Sequence, residues 1–293
     1  MIRLTSLTLA MAAFTGLSLN AMEVEPQTGG LAFGNDKAKD YSFSGYVGLA
    51  NKQIDQGWER DNNAVLQTGG TARYWGLGLT LFGSFAVEPD SSATYLANND
   101  PTTYGSNPLA PGEFVQFNAK LDYVIEIDGV YGANQPFLQF IPHFEYVTYP
   151  NQPANVLKDK QVWAGADVWW STPLEGIEFG GNSDWNLLTP AYRGAGGFRE
   201  ILQYAPYDLV LWQVANWGSN NYQNYFVPSE STGFTTSQVG AKVRAPSAWR
   251  EWWTYVGADW QYWLTNDLRA ARAAYGLNAG TFQFSVGMEW IAE

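Results

Sequence analysis

The stretch G-T-F-Q-F-S-V-G-M-E-W-I-A-E at residues 280–293 decides how this chain reads. Phe282, Phe284, Val286, Met288 and Trp290 recur at every second position, with Gln283, Ser285, Gly287 and Glu289 between them. Successive side chains of a strand point to opposite faces, so this segment has one apolar and one polar face. A soluble sheet can produce the same alternation. Bulky apolar residues filling one face of the last strand, in a chain that opens on an export signal, point instead to an antiparallel transmembrane β-barrel. In such a wall the apolar face meets lipid and the polar face meets a lumen.

That export signal is M-I-R-L-T-S-L-T-L-A-M-A-A-F-T-G-L-S-L-N-A, residues 1–21. Arg3 supplies the positive charge, residues 4–19 the apolar core, and Leu19-Asn20-Ala21 an acceptable cleavage site. The apolar run is too short for a membrane anchor, and no later stretch approaches the ~18 apolar residues of a helical span. The expected organisation is a signal peptide over 1–21, a polar periplasmic tail over 22–40 and a barrel over 41–293, located in the outer membrane.

Composition narrows the function. The formal net charge is −12, and it becomes more negative when Arg3 leaves with the signal. Nucleic acid is therefore excluded as a partner, because neutralising phosphates needs clustered Lys and Arg. Cysteine is absent, which rules out disulfides and thiolate metal sites. The 14 Trp, 17 Tyr, 16 Phe and 30 Gly suit a barrel, which needs aromatic girdles at both interfaces and glycines in its turns.

Taken in order, the alternation predicts strands over 41–50, 64–75, 77–88, 115–127, 136–149, 159–171, 175–185, 197–204, 207–217, 235–245, 251–264 and 280–290. In the fourth, Val115, Phe117, Ala119, Leu121, Tyr123, Ile125 and Ile127 mark the lipid face, opposite Gln116, Asn118, Lys120, Asp122, Glu126 and Asp128. That makes about twelve strands, with ten or fourteen as the alternatives. Long connections begin near residues 51, 89, 150, 186, 218 and 265, and short ones near 76, 129, 172, 205 and 246. This alternation fits short periplasmic turns and long extracellular loops. Residues 266–278 have helix composition, with Asn266 as the expected cap.

Several segments resemble a family of uncharacterised Gram-negative outer-membrane porin-like proteins. They are Y-S-F-S-G-Y-V-G-L-A at 41–50 with V-L-Q at 65–67, H-F-E-Y-V-T-Y-P at 143–150, and K-Q-V-W-A-G-A-D-V-W-W at 160–170. The last strand also resembles the terminal strand by which Gram-negative barrels are recognised for assembly, with Phe282, Phe284 and Trp290 as its recognised residues. It departs from that pattern in ending on Ile291, Ala292 and Glu293. The resemblance implies a membrane barrel and supplies no catalytic residues. The partners it implies are the bilayer, lipopolysaccharide and the barrel-assembly machinery.

Gathered together, the polar faces predict a lumen lined by Arg73, Lys120, Asp122, Glu126, His143, Glu145, Asp167, Glu178, Asp184, Lys242, Arg244 and Asp259. Acidic residues dominate strands four to seven, while Lys242 and Arg244 stand on strand ten. Such an arrangement forms a channel for passive diffusion of small polar solutes or ions with a preference for cations. The same residues can instead pair and fill a plugged, structural or surface-binding barrel, because twelve strands lie between plugged and open sizes. A third reading makes His143, the sole histidine, the base of a lipid hydrolase. No G-x-S-x-G motif accompanies it, so no catalytic residue is assigned. One histidine cannot build a histidine metal cluster, which leaves only a carboxylate calcium site in the acidic loops. No cofactor motif occurs. Trp75, Trp169, Trp170, Trp185, Trp217, Trp249, Trp252, Trp253, Trp263 and Trp290 lie near predicted strand ends and read as interface girdle.

Overall fold

Period-two alternation resolves into twelve wall strands. In chain order they are β1 (Tyr41–Ala50), β2 (Val65–Tyr74), β3 (Leu77–Ala86), and β4 in two pieces (Phe114–Tyr123 and Ile125–Asp128). The chain continues through β5 (Pro136–Thr148), β6 (Lys160–Ser171), β7 (Ile177–Asn186), β8 (Tyr192–Tyr204) and β9 (Tyr207–Gly218). It ends with β10 (Gly233–Pro246), β11 (Trp252–Trp263) and β12 (Gly280–Trp290). This computed structural model describes residues 41–55, 58–61, 64–88, 110–128, 136–150, 160–172, 177–223, 232–249, 252–274 and 278–290. The expected signal peptide and periplasmic tail lie outside the described residues.

Every strand pairs antiparallel with its neighbour in sequence, and β12 returns to β1 with Leu49 opposite Val286. Closure lets the strands pair their backbone N–H and C=O groups within the wall, the condition for crossing hydrocarbon without an open sheet edge. The chain contains no described helix long and apolar enough to cross a membrane; the strands make the crossing. One interruption has a local cause. Asp122 pairs with His143 and Ile125 with Phe140 in a single register, and the gap between them falls beside Pro142. Proline has no N–H to give to a ladder. Val124 instead donates its N–H to the Gly76 carbonyl at 2.9 Å.

Outward faces are apolar as expected. On β12, Phe282, Phe284 and Val286 are exposed, and Gln283 and Glu289 are buried inside. Tyr74, Trp75, Tyr204, Tyr207 and Trp249 are exposed at the short-turn end, as a girdle requires. The tightest turn, between β2 and β3, places Trp75 at φ 46° and Gly76 at φ 82°. Both values suit a type I′ turn, whose twist matches the flanking strands.

The structure departs from the sequence expectation in four places. Strand β8 begins at Tyr192 and not at residue 197, so the connection over 187–191 is short instead of long. The run Gly194-Ala195-Gly196-Gly197 reads as loop in sequence, but in the barrel Trp217 of β9 lies over Gly194. A Cβ there would come within 2.3 Å of the indole Nε1, so the ring supplies the bulk that the glycine lacks. Val115 turns inward to pack with Ala50, Val65 and Ala86, because a bulge near Ser84 and Phe85 shifts the register there. Trp169 and Trp263 are buried within the barrel and do not join a girdle. Finally, the helix in the last long loop, α2 (Asn266–Ala274), is capped by Thr265. The Leu268 N–H donates to the Thr265 hydroxyl at 3.4 Å.

At the long-loop end, a single turn α1 (Asn220–Gln223) and α2 fold inward. Tyr222 and Leu268 complete an apolar cluster with Val147, Tyr149, Trp163, Ala191 and Trp263. The Arg272 guanidinium sits 3.5 Å from the centre of the Trp263 ring.

Candidate pore lumen

Alternation aims every second side chain of each strand into the barrel, and that places all twelve sequence-predicted residues on the inner wall. Arg73, Asp122, His143, Glu145, Asp167, Glu178, Asp184, Lys242, Arg244 and Asp259 are buried there, and Lys120 and Glu126 half-buried. A wide aqueous bore would leave such side chains open to water. Their burial means that any passage along this wall is narrow.

The charges meet in pairs. Arg73 Nη1 lies 2.6 Å from Asp122 Oδ1, across the backbone of Gly78. Lys120 Nζ donates to Asp167 Oδ2 at 2.6 Å, and Lys242 Nζ to Glu289 Oε2 at 3.1 Å. Arg244 Nε donates to Asp208 Oδ2 at 2.8 Å. Two cations that matter most were not among the predicted residues. Arg199 Nη2 donates to Glu178 Oε2 at 2.7 Å. Arg193 Nε donates to Asp184 Oδ2 at 3.0 Å, and its Nη2 reaches Glu145 on β5. The Arg193 guanidinium also lies 4.2 Å from the centre of the Trp163 ring. Arg193 thus ties β8, β7, β6 and β5 together by a chord through the interior.

The expected acidic arc on strands four to seven is therefore partly compensated, with four cations against the six carboxylates Asp122, Glu126, Glu145, Asp167, Glu178 and Asp184. Both arginines stand on β8, the strand whose start and faces were least legible in the sequence. The inner face of β9 hid for a different reason. Val210, Trp212 and Val214 point inward and pack with Val124, Ile141, Trp169 and Ala195, so between Asp208 and Asn216 neither face of β9 reads as polar.

His143 answers the hydrolase expectation directly. Its Nε2 lies 2.9 Å from Asp184 Oδ1 and its Nδ1 3.5 Å from Asp167 Oδ1. Both ring nitrogens face aspartates inside the barrel, whereas the hydrolase reading needs a serine hydroxyl on the lipid-facing side. Among the described residues no group of His, Asp and Glu is arranged to hold a metal ion. Most of the acidic loop over 89–109 lies outside them.

A closed antiparallel wall, an apolar outer belt, an aromatic rim and a charged interior define a transmembrane β-barrel of twelve strands. No protein-family model matches the chain, and no curated protein matches it. Solved structures similar to it include the KdgM porin, at 9% identity, covering 86% of this chain and 99% of that chain, with a TM-score of 0.46. The outer-membrane channel DcaP of Acinetobacter baumannii is similar at 9% identity, covering 85% of this chain and 96% of that one, TM-score 0.36. OmpF of Salmonella typhi, in complex with daunomycin, is similar at 8% identity, covering 85% and 97%, TM-score 0.33. The class assignment rests on the strand ladder itself.

Proposed function

We propose that the protein is an outer-membrane channel for passive diffusion of ions and small polar solutes, narrow in bore and cation-preferring. The observation that carries this reading is the predominantly polar inner face of a closed wall, which bears ionisable groups on most strands from β2 to β12 and is interrupted by apolar packing chiefly at β9. A barrel that served only as a scaffold gains little from such groups. Buried ion pairs are about equal in stability to apolar packing of the same volume, and the β9 sector shows that this barrel does pack apolar side chains inside. Burial of the lining restricts the permeants to small ones.

The preference for cations draws on the lumen, where the cations of β2, β4 and β8 stand against a larger number of carboxylates, and on the mouth. The long loop over 89–112 carries Asp90 and Asp100, has no Lys or Arg, and is flanked by Glu88 and Glu113. Negative potential at an entrance concentrates cations within a Debye length, ~8 Å at physiological salt. Export by the signal over 1–21 and insertion by assembly machinery that reads Phe282, Phe284 and Trp290 complete the proposal, with lipopolysaccharide as the outer-leaflet neighbour. The test is planar-bilayer recording of the refolded protein. Small unitary steps and a zero-current potential favouring potassium over chloride, fading as salt rises, are expected. Absence of steps from a heat-shiftable, folded preparation overturns the channel, and a chloride preference overturns the cation preference alone.

A further inference from the structure

The inner wall of β9–β12 carries a second kind of polar surface that the paired charges do not explain. Asn216, Gln238, Asp259, Gln261 and Gln283 project there from four adjacent strands, and all are buried. The ladder brings them together. Gln238 lies opposite Gln261, Asp259 opposite Gln283, and Asn216 opposite Thr236 on the next strand. Gln238 Nε2 donates to Asp259 Oδ1 at 2.7 Å, and Gln283 Nε2 donates to the Lys52 carbonyl at 2.9 Å. Those acceptors can only accept, which fixes the orientation of both amides and leaves each Oε1 directed elsewhere.

What remains is a set of buried hydrogen-bonding atoms with no partner: Asn216 Oδ1, Gln238 Oε1, both Gln261 Oε1 and Nε2, and Gln283 Oε1. The Trp212 indole Nε1 is a further unpartnered buried donor. Its ring lies across Gly240, where a Cβ would fall 2.1 Å from the ring, and Gly240 pairs with Asp259. Buried amides are almost always satisfied, and a cluster of them left open on one surface asks for something that both donates and accepts. Formal charge is nearly balanced at this place. Asp259 supplies the carboxylate, and Lys52, whose Nζ donates to the Thr281 hydroxyl at 2.7 Å, supplies an ammonium from the first long loop.

We propose that this amide cluster is a binding station for neutral polyhydroxylated solutes, polyols or small sugars. Each hydroxyl both donates and accepts, so one molecule meets the amide oxygens and the Gln261 and Trp212 N–H groups together, and it needs no counter-charge. This inference rests on the channel reading for its biological meaning and names the permeant class. The site itself is tested independently of conduction.

The experiment is calorimetric titration of refolded protein in detergent with sorbitol and glucose, beside bilayer recording of the same preparation. Saturable binding is expected, and Gln261→Met, of similar volume, should weaken it about tenfold through the loss of two hydrogen bonds. If Gln261→Met fails to fold, judged by the boiled-versus-unboiled gel shift, Gln261→Ala takes its place. Val239→Ala, on the lipid face of β10, should leave binding unchanged. No saturable heat with either polyol means that only ordered water fills the cluster, and the proposal falls. Binding of methylammonium with no response to the polyols also overturns it, by giving the cluster a cationic ligand. Binding without unitary currents sustains the station and removes the channel, whereas currents without binding do the reverse.

Discussion

Replacing Arg193 by Met should destabilise the barrel more than replacing any of the other paired cations. Its guanidinium bonds Asp184 and Glu145 and lies 4.2 Å from the centre of the Trp163 ring, and the residue is 2% exposed. Methionine keeps much of the volume and none of the charge, so two carboxylates lose their partner at once. Removing one member of a buried ion pair costs about 3–5 kcal/mol, because the remaining charge stays buried without compensation. Loss of the contact with the Trp163 ring adds about 1 kcal/mol. Glu145→Gln alone should cost only about 1–3 kcal/mol, because Arg193 keeps Asp184. The double variant should be less destabilised than the sum of the two by at least ~1 kcal/mol, the mark of residues in direct contact. Urea unfolding from phospholipid vesicles, followed by tryptophan fluorescence, gives all three values. Additivity within ~0.5 kcal/mol would show that Arg193 and Glu145 do not meet across the interior, and the chord from β8 to β5 would be wrong.

Phe284→Asp should block insertion, because a charge on the lipid face near mid-membrane costs up to about 2–4 kcal/mol, less for an acid than for a base. Glu289→Gln should still insert but unfold at lower urea, since Lys242 would lose its carboxylate; equal insertion and equal stability of the two variants would mean that the faces of β12 are reversed. Trp169→Ala should cost about 3–5 kcal/mol by opening a cavity beside Ile141 and Val210, an effect that a rim tryptophan would not show in vesicle unfolding. Gly180→Val should be destabilising as well, because even a Cβ at that position would lie 2.0 Å from the Trp169 ring, and refolding yield measured by gel shift reports it.

Much of the wall was legible because lipid and lumen impose opposite demands on alternate residues. On β4 the outward series Phe117, Ala119, Leu121, Tyr123, Ile125 and Ile127 is unbroken, and parity alone assigns Lys120, Asp122 and Glu126 to the interior. Where a residue was misplaced, a specific device had broken the parity or hidden it. Val115 follows a bulge, which sequence does not announce. Arg193 and Arg199 flank a glycine run whose missing bulk comes from Trp217 on another strand. Trp169 carried a signal that went unused: Trp169 and Trp170 are adjacent, so a strand must send one of them inward, and Val162, Ala164, Ala166 and Val168 show which. Residue type favoured the girdle and alternation favoured the lumen, and alternation was right. The amide cluster was half-visible, since Gln238, Asp259, Gln261 and Gln283 all fall at inward positions. Their convergence depends on strand register, which composition does not determine.

Ionic groups are densest on β4 to β8 of the inner surface, while β9 to β12 add the amide cluster to the pairs Arg244–Asp208 and Lys242–Glu289. From β4 to β8 the wall is ionic: Lys120, Arg193 and Arg199, with Arg73 of β2, stand against Asp122, Glu126, Glu145, Asp167, Glu178 and Asp184, so the carboxylates remain in excess. Across from it, β9 to β12 present amides whose oxygens and N–H groups are not used up among themselves. If the barrel conducts as proposed, a solute would meet mainly fixed ionic groups on one side and the amide cluster on the other. Under the proposed channel reading, discrimination by hydroxyl content is expected at the amide cluster, and discrimination by charge at the carboxylate excess of the lumen and at the acidic mouth. The two contributions separate by ionic strength. Raising salt screens the mouth over its ~8 Å range and should weaken charge preference, while leaving polyol recognition by buried amides unchanged.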